Sequence, residues 1–155
     1  MVTYVLSLVL GVLLLLFTIT ISGSSPLSYF DLPNLMFVVV CPFIVMYVLH
    51  GHAAIKTAFS APFKKNSSRE TLLQANRYFK NHNKVTWLWA FAAALIGVIG
   101  ILQNLNNKLA IGPNLALAIM SIFYAAVIHV FVIIPFTVLI DLKQSVKLGH
   151  TEDYL

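Results

Sequence analysis

The sequence predicts an all-α membrane protein with four transmembrane helices and both termini on the cytoplasmic side. Three observations predict it. Of 155 residues, 59% are apolar and only 10% are charged, whereas soluble domains run nearer a quarter charged. The mean hydropathy is +0.88. The charges also leave long gaps: none falls in residues 1–30, 32–49, 85–107 or 109–140. Each gap approaches or exceeds the roughly 18 apolar residues that mark a candidate span. Finally, nine of the ten basic residues lie within 51–84 or beyond Asp141, which assigns those segments to the cytoplasm by the positive-inside bias. That bias accounts for the net charge of +5, so the basicity is not read as nucleic-acid binding.

The first span is expected over about 2–22. Its start, Met1-Val2-Thr3-Tyr4, has no basic n-region and reads as a retained helix rather than a cleaved signal. A loop bearing Gly, Ser and Pro leads to span two at about 33–50, where Pro42 is expected to kink the helix. Residues 51–84 carry seven basic side chains against Glu70 alone. Within them Ser67-Ser68-Arg69-Glu70 reads as a capping box. Leu72, Leu73, Ala75, Tyr78 and Phe79 follow at helical spacing, which predicts a basic amphipathic helix over 67–84 on the inner leaflet, leading directly into span three. Partner docking is the other reading of that helix. Its basic surface is Lys64, Lys65, Arg69, Arg77, Lys80 and Lys84. Span three covers about 85–105, and Pro113 opens span four, which runs to about 140. The uncharged run there exceeds what a bilayer needs, so it must tilt or project into the cytoplasm. A tail, 141–155, completes the single domain.

The chain carries little visible chemistry. Cys41 is its single cysteine, so there is neither an intrachain disulfide nor a cysteine metal cluster. No nucleophile–base pair, paired carboxylates or phosphate-binding glycine loop is present, and no catalytic residue, metal site or cofactor is assigned. His129, near the middle of span four, is the one ionisable group deep in a span. Two readings apply: a proton relay, or a neutral histidine bonded to a carbonyl of a neighbouring helix, which we take first. His50-Gly51-His52 lacks the carboxylate or thiolate that would complete a metal site. Ser121, Tyr124, Thr18, Thr20 and Thr137 are candidates for bonds between helices, each contributing about 0.6–2 kcal/mol. Gly97 and Gly100, with Ala90, Ala92, Ala93 and Ala94, allow close backbone approach and suit an assembly interface.

Several stretches resemble the MotA/TolQ/ExbB family of ion-driven motor subunits, and its MotA branch most. Phe30-Asp31-Leu32-Pro33-Asn34-Leu35 followed by Val38-Val39 resembles the entry to the second span. Residues 97–107, followed by Ile111-Gly112-Pro113, resemble the third span and its outer turn. Ala116-Leu117-Ala118 through Tyr124 to Pro135 resembles the fourth. The resemblance implies a ring-shaped homopentamer in the bacterial inner membrane, enclosing a single-span partner of the MotB/ExbD/TolR kind. That partner would carry the membrane carboxylate past which ions flow. Spans three and four would form the inner wall, with Ala94, Gly97, Ser121, Ile122 and His129 lining the pore. Pro135 would be the bend coupling pore to cytoplasm.

The chain also departs from the family pattern. Ala94 and Ile122 stand where the family usually has threonines, Trp87 replaces a proline, and the cytoplasmic section is too short to hold rotor-docking charges. These departures motivate a second reading, a non-conducting scaffold ring. A small membrane enzyme resembling the glutathione-transferase type ranks lower, because spans two to four lack the charged residues that activate thiols.

Overall fold

The computed structural model describes residues 2–64 and 66–152, with side chains described between Leu6 and Val146 except Ser7 and Lys65. Every regular element among the described residues is helical. Helix α1 is Val2–Ile21. After a short 3-10 turn at Pro26–Tyr29, α2 is Leu32–Ser60, α3 is Arg69–Gln103, and α4 covers residues 108–152. Leu32–Ser60, Arg69–Gln103 and Lys108–Val146 are each long and apolar enough to cross a membrane, and Leu8–Ile21 is a shorter apolar stretch.

Two stretches are π-helical, Met36–Val40 and His129–Ile133, and both directly precede a proline turn. Proline has no N–H and its ring crowds the carbonyl four residues back. For Pro42 that carbonyl belongs to Val38, and for Pro135 to Phe131; both lie inside a π stretch. The following N–H groups, of Cys41 and Ile134, reach back five residues to Met36 and His129. A widened turn is thus how each helix accommodates its proline. The sharp break in α2 lies elsewhere. Gly51 has φ +74° and ψ 165°, left-handed backbone that suits glycine. The apolar part of α2 ends there, and a second helical piece, missed in the sequence, continues to Ser60.

Three local expectations need correction. Helix α3 is capped by Ser68, whose hydroxyl accepts from the Thr71 N–H at 3.1 Å. Ser67 instead donates to the Ala61 carbonyl at 2.8 Å. The capping-box register shifts by one residue because Ser67 is held by the preceding turn. Helix α4 starts at Lys108 with Asn107 as its cap, so Pro113 lies inside the helix rather than at its first turn. The amphipathic segment does run without interruption into span three, but its apolar face does not lie on lipid. Leu72, Ala75, Tyr78 and Phe79 are buried with Met46, Ala58, Ala61, Ile133 and Ile140. The protein's own α2 and α4 cover that face, leaving the basic side and Leu73 outward.

Helix α3 is the centre of the bundle, packed on α2 and α4. One core layer joins Val38, Ala90, Ala93, Tyr124 and Ala125. The other is aromatic: Phe79 stacks on Phe136 at 4.8 Å, and Phe59 meets both edge-on at 5.3 and 5.2 Å. Such pairs add about 0.5–1.5 kcal/mol each beyond their burial. Helix α1 sits outside, with Ile19 buried and Gly11 against Phe131. The outer faces remain apolar: Ile44, Val48, Leu88, Phe91, Leu95, Ile119 and Ile122 are all exposed. A surface of that kind is matched by hydrocarbon rather than water. The chain is a multi-pass membrane protein.

Candidate functional site

Helices α3 and α4 approach closely where Gly97 and Gly100 face Asn114 and Ala118. A Cβ placed on Gly97 would fall 2.6 Å from the Asn114 carbonyl oxygen and 2.8 Å from the Ala118 amide nitrogen. A Cβ on Gly100 would collide with the Asn114 amide group. Ala90, Ala93, Ala94 and Gly97 are buried along the same seam. The small residues expected at an assembly interface, apart from the exposed Ala92, are therefore used inside one chain, where α4 presses against them.

Ser121 is fully buried, with 0% exposure, and its hydroxyl donates to the Ala118 carbonyl of its own helix at 2.8 Å. Ile122 points the other way and is 49% exposed. Of the five residues expected to line a pore, Ala94, Gly97 and Ser121 thus lie within the packed seam of a single chain, and Ile122 lies on its outer surface. Thr18, Thr20 and Thr137 likewise bond back to carbonyls of Leu14, Leu16, Ile133 and Ile134. Hydroxyls of this spacing satisfy themselves locally, which corrects the expectation that they tie helices together.

Tyr124 does cross. Its hydroxyl donates to the Tyr29 carbonyl at 2.5 Å and accepts from the Asp31 N–H at 2.8 Å. Asp31 in turn caps the entry to α2, and Asn34 donates to its carboxylate at 2.8 Å and to the Leu117 carbonyl at 3.2 Å. The segment 29–34 is thereby fastened to α4 at two points. The Asp31-Leu32-Pro33-Asn34 pattern carried the capping signal, but its partner 93 residues away did not show in the sequence.

His129 is half-buried, and its Nδ1 is 2.7 Å from the Asn83 side-chain oxygen of α3. Its ring also meets Trp87 edge-on. The bond to a neighbouring helix's carbonyl oxygen is the arrangement taken first from sequence, with an asparagine side chain supplying the oxygen. Pro135 follows the π turn that begins at His129.

Further toward the basic end lie polar residues that sequence reasoning missed. Asn76 donates to the Asp141 carboxylate at 2.8 Å. His82 is buried, with Nδ1 3.2 Å from the Thr86 hydroxyl. The i, i+4 spacing of His82 and Thr86 was the available signal. His50 sets its ring against Tyr78 at 5.7 Å, and His52 is exposed. Among the described residues, no three His, Cys, Asp or Glu side chains converge as metal ligands.

The basic surface is outward-facing, as its composition requires. Lys64, Arg69, Arg77, Lys80 and Lys84 are exposed, and the Lys64 carbonyl accepts from the Lys143 ammonium at 2.6 Å. Lys65 lies outside the described residues. No family model matches this chain, and no curated protein matches it.

Proposed function

We propose that this chain is a ring-forming subunit of a MotA/TolQ/ExbB-like assembly, a homopentamer around a single-span partner in a bacterial inner membrane. Four spans place both termini on the cytoplasmic side, and an ion gradient drives mechanical work through the ring. The observation that supports this best is the wall made by α3 and α4. It is closed internally by small residues, apolar on its outer face, and free of Asp, Glu, Lys and Arg from Val85 to Gln103 and from Leu109 to Ile140. Charged groups within a span are costly and mark ion pathways. A wall without them needs its carboxylate from a partner, and its exposed apolar faces need neighbouring helices or lipid.

A second reading rests on Ser121. Its hydroxyl is occupied by Ala118, Ala94 is buried in the seam, and Ile122 offers only hydrocarbon at the surface, so the wall presents few groups to replace an ion's water. A non-conducting scaffold ring of the same architecture follows from that feature.

Native mass spectrometry of the gently extracted protein tests the architecture, with five copies plus a second small chain expected. Three copies, as in small membrane enzymes of the glutathione-transferase type, would overturn it. Ion flux in proteoliposomes then separates the two readings. Flux that vanishes when the partner's carboxylate is neutralised identifies the motor, and silence under every gradient identifies the scaffold.

A further inference from the structure

A pocket of about 270 Å³ opens between the second helical piece of α2 and the start of α3. It exists because small residues face each other there, with Ala58 and Ala75 on the two sides. Its polar lining is His50, Thr57, Gln74, Arg77 and Tyr78, with no carboxylate among them. Tyr78 is only 2% exposed, and its buried hydroxyl has no hydrogen-bond partner. That hydroxyl is enclosed in the wall of the pocket, where leaving it unsatisfied is unfavourable. Arg77 adds a permanently charged guanidinium whose planar fork matches phosphate oxygens. Histidine, threonine and glutamine supply further donors.

The position favours the same chemistry. The apolar part of α2 ends at His50, and Gly51 turns the chain there. Directly beyond lies the segment whose seven basic residues face Glu70 alone. The pocket therefore sits where apolar surface gives way to positive charge, the level at which lipid phosphates meet a membrane protein. Its volume admits a phosphate with its immediate substituents, and not a whole lipid.

We propose that this pocket binds a phosphate group, carried either by an anionic phospholipid or by a soluble phosphate compound. Arg77 holds the charge, with Thr57 and Gln74 on the two walls as neutral donors. The site is independent of the ring proposed above.

The full chain in phosphatidylcholine nanodiscs, with or without phosphatidylglycerol, provides the test. Retained lipid is read by native mass spectrometry, and thermal protection by inorganic phosphate is read separately in detergent. Phosphatidylglycerol is expected to be retained over phosphatidylcholine, and Arg77→Gln to weaken that preference about tenfold. Thr57→Val weakens it as well, whereas Tyr78→Phe leaves the preference intact and the protein at least as stable, because only an enclosed, unpaired hydroxyl is removed. Lys80→Gln, exposed on the same helix outside the pocket, has little effect. Protection by inorganic phosphate that is lost in Arg77→Gln, without a lipid preference, supports the site and names a soluble source. Equal weakening by Arg77→Gln and Lys80→Gln would reduce the effect to a diffuse basic surface and overturn the proposal. So would the absence of any response to either phosphate source.

Discussion

The Tyr124 hydroxyl, on α4, accepts a 2.8 Å hydrogen bond from the Asp31 N–H at the entry to α2. The same oxygen donates to Tyr29, so one side chain serves two backbone groups that the loop itself leaves unpaired. Tyr124→Phe keeps the ring and removes both bonds. It is expected to cost about 1–3 kcal/mol, read as a lower thermal midpoint in detergent. Asn34→Ala, which cuts the second fastening, should lower the midpoint in the same direction. An unchanged midpoint in Tyr124→Phe would show that the latch contributes nothing.

The Gly97 contact makes a sharper steric prediction. Backbone atoms of Asn114 and Ala118 occupy the place a methyl would take, and neither can swing aside as a flexible side chain would. Gly97→Ala is therefore expected to destabilise by about 1–3 kcal/mol, the usual range for overpacking, despite alanine's better helix propensity. Ala92→Val, on the exposed face of the same helix, should change stability little. Denaturation of both variants in one detergent decides between a close seam and a loose one.

Two glycines should respond to different degrees. Gly51 has open space around its missing side chain but φ +74°, so Gly51→Ala is destabilising by about 1–2 kcal/mol through the backbone alone. Gly112 lies within the helix that starts at Lys108, also in open space, with no positive φ. Gly112→Ala gains up to about 1 kcal/mol of helix propensity but sets a Cβ directly before Pro113 in helical backbone, so its net change should be smaller than that of Gly51→Ala. If Gly51→Ala left the midpoint unchanged, the break at Gly51 would be in doubt.

For His129 the relevant quantity is its coupling to Asn83 across 2.7 Å. A double-mutant cycle with His129→Leu and Asn83→Leu should return about 0.6–1.7 kcal/mol, the span seen for polar pairs between membrane helices. A coupling near zero would mean that the imidazole does not depend on this partner for its position.

Composition and charge spacing alone determined that this chain is helical and built for a bilayer. Gaps without charge and a basic middle segment are properties of the chain's order, and any fold that exposes the uncharged apolar runs to water would be unfavourable. The break after His50 and the helix leading into Val85 were also readable, because apolar runs end where charges begin. Which surface covers which was not readable. The face of Tyr78 and Phe79 looks the same in sequence whether lipid or Phe136 lies against it, and only packing chose Phe136. Gly97 and its alanine neighbours likewise permit close approach without specifying a partner, and the tertiary structure spends them on α4 of the same chain. The register of the Ser68 cap and the reach of Tyr124 to Asp31 belong to the same category. Hydrophobic burial has no direction of its own, so sequence sets how much surface must be covered, while steric fit and the pairing of buried polar groups decide what covers it.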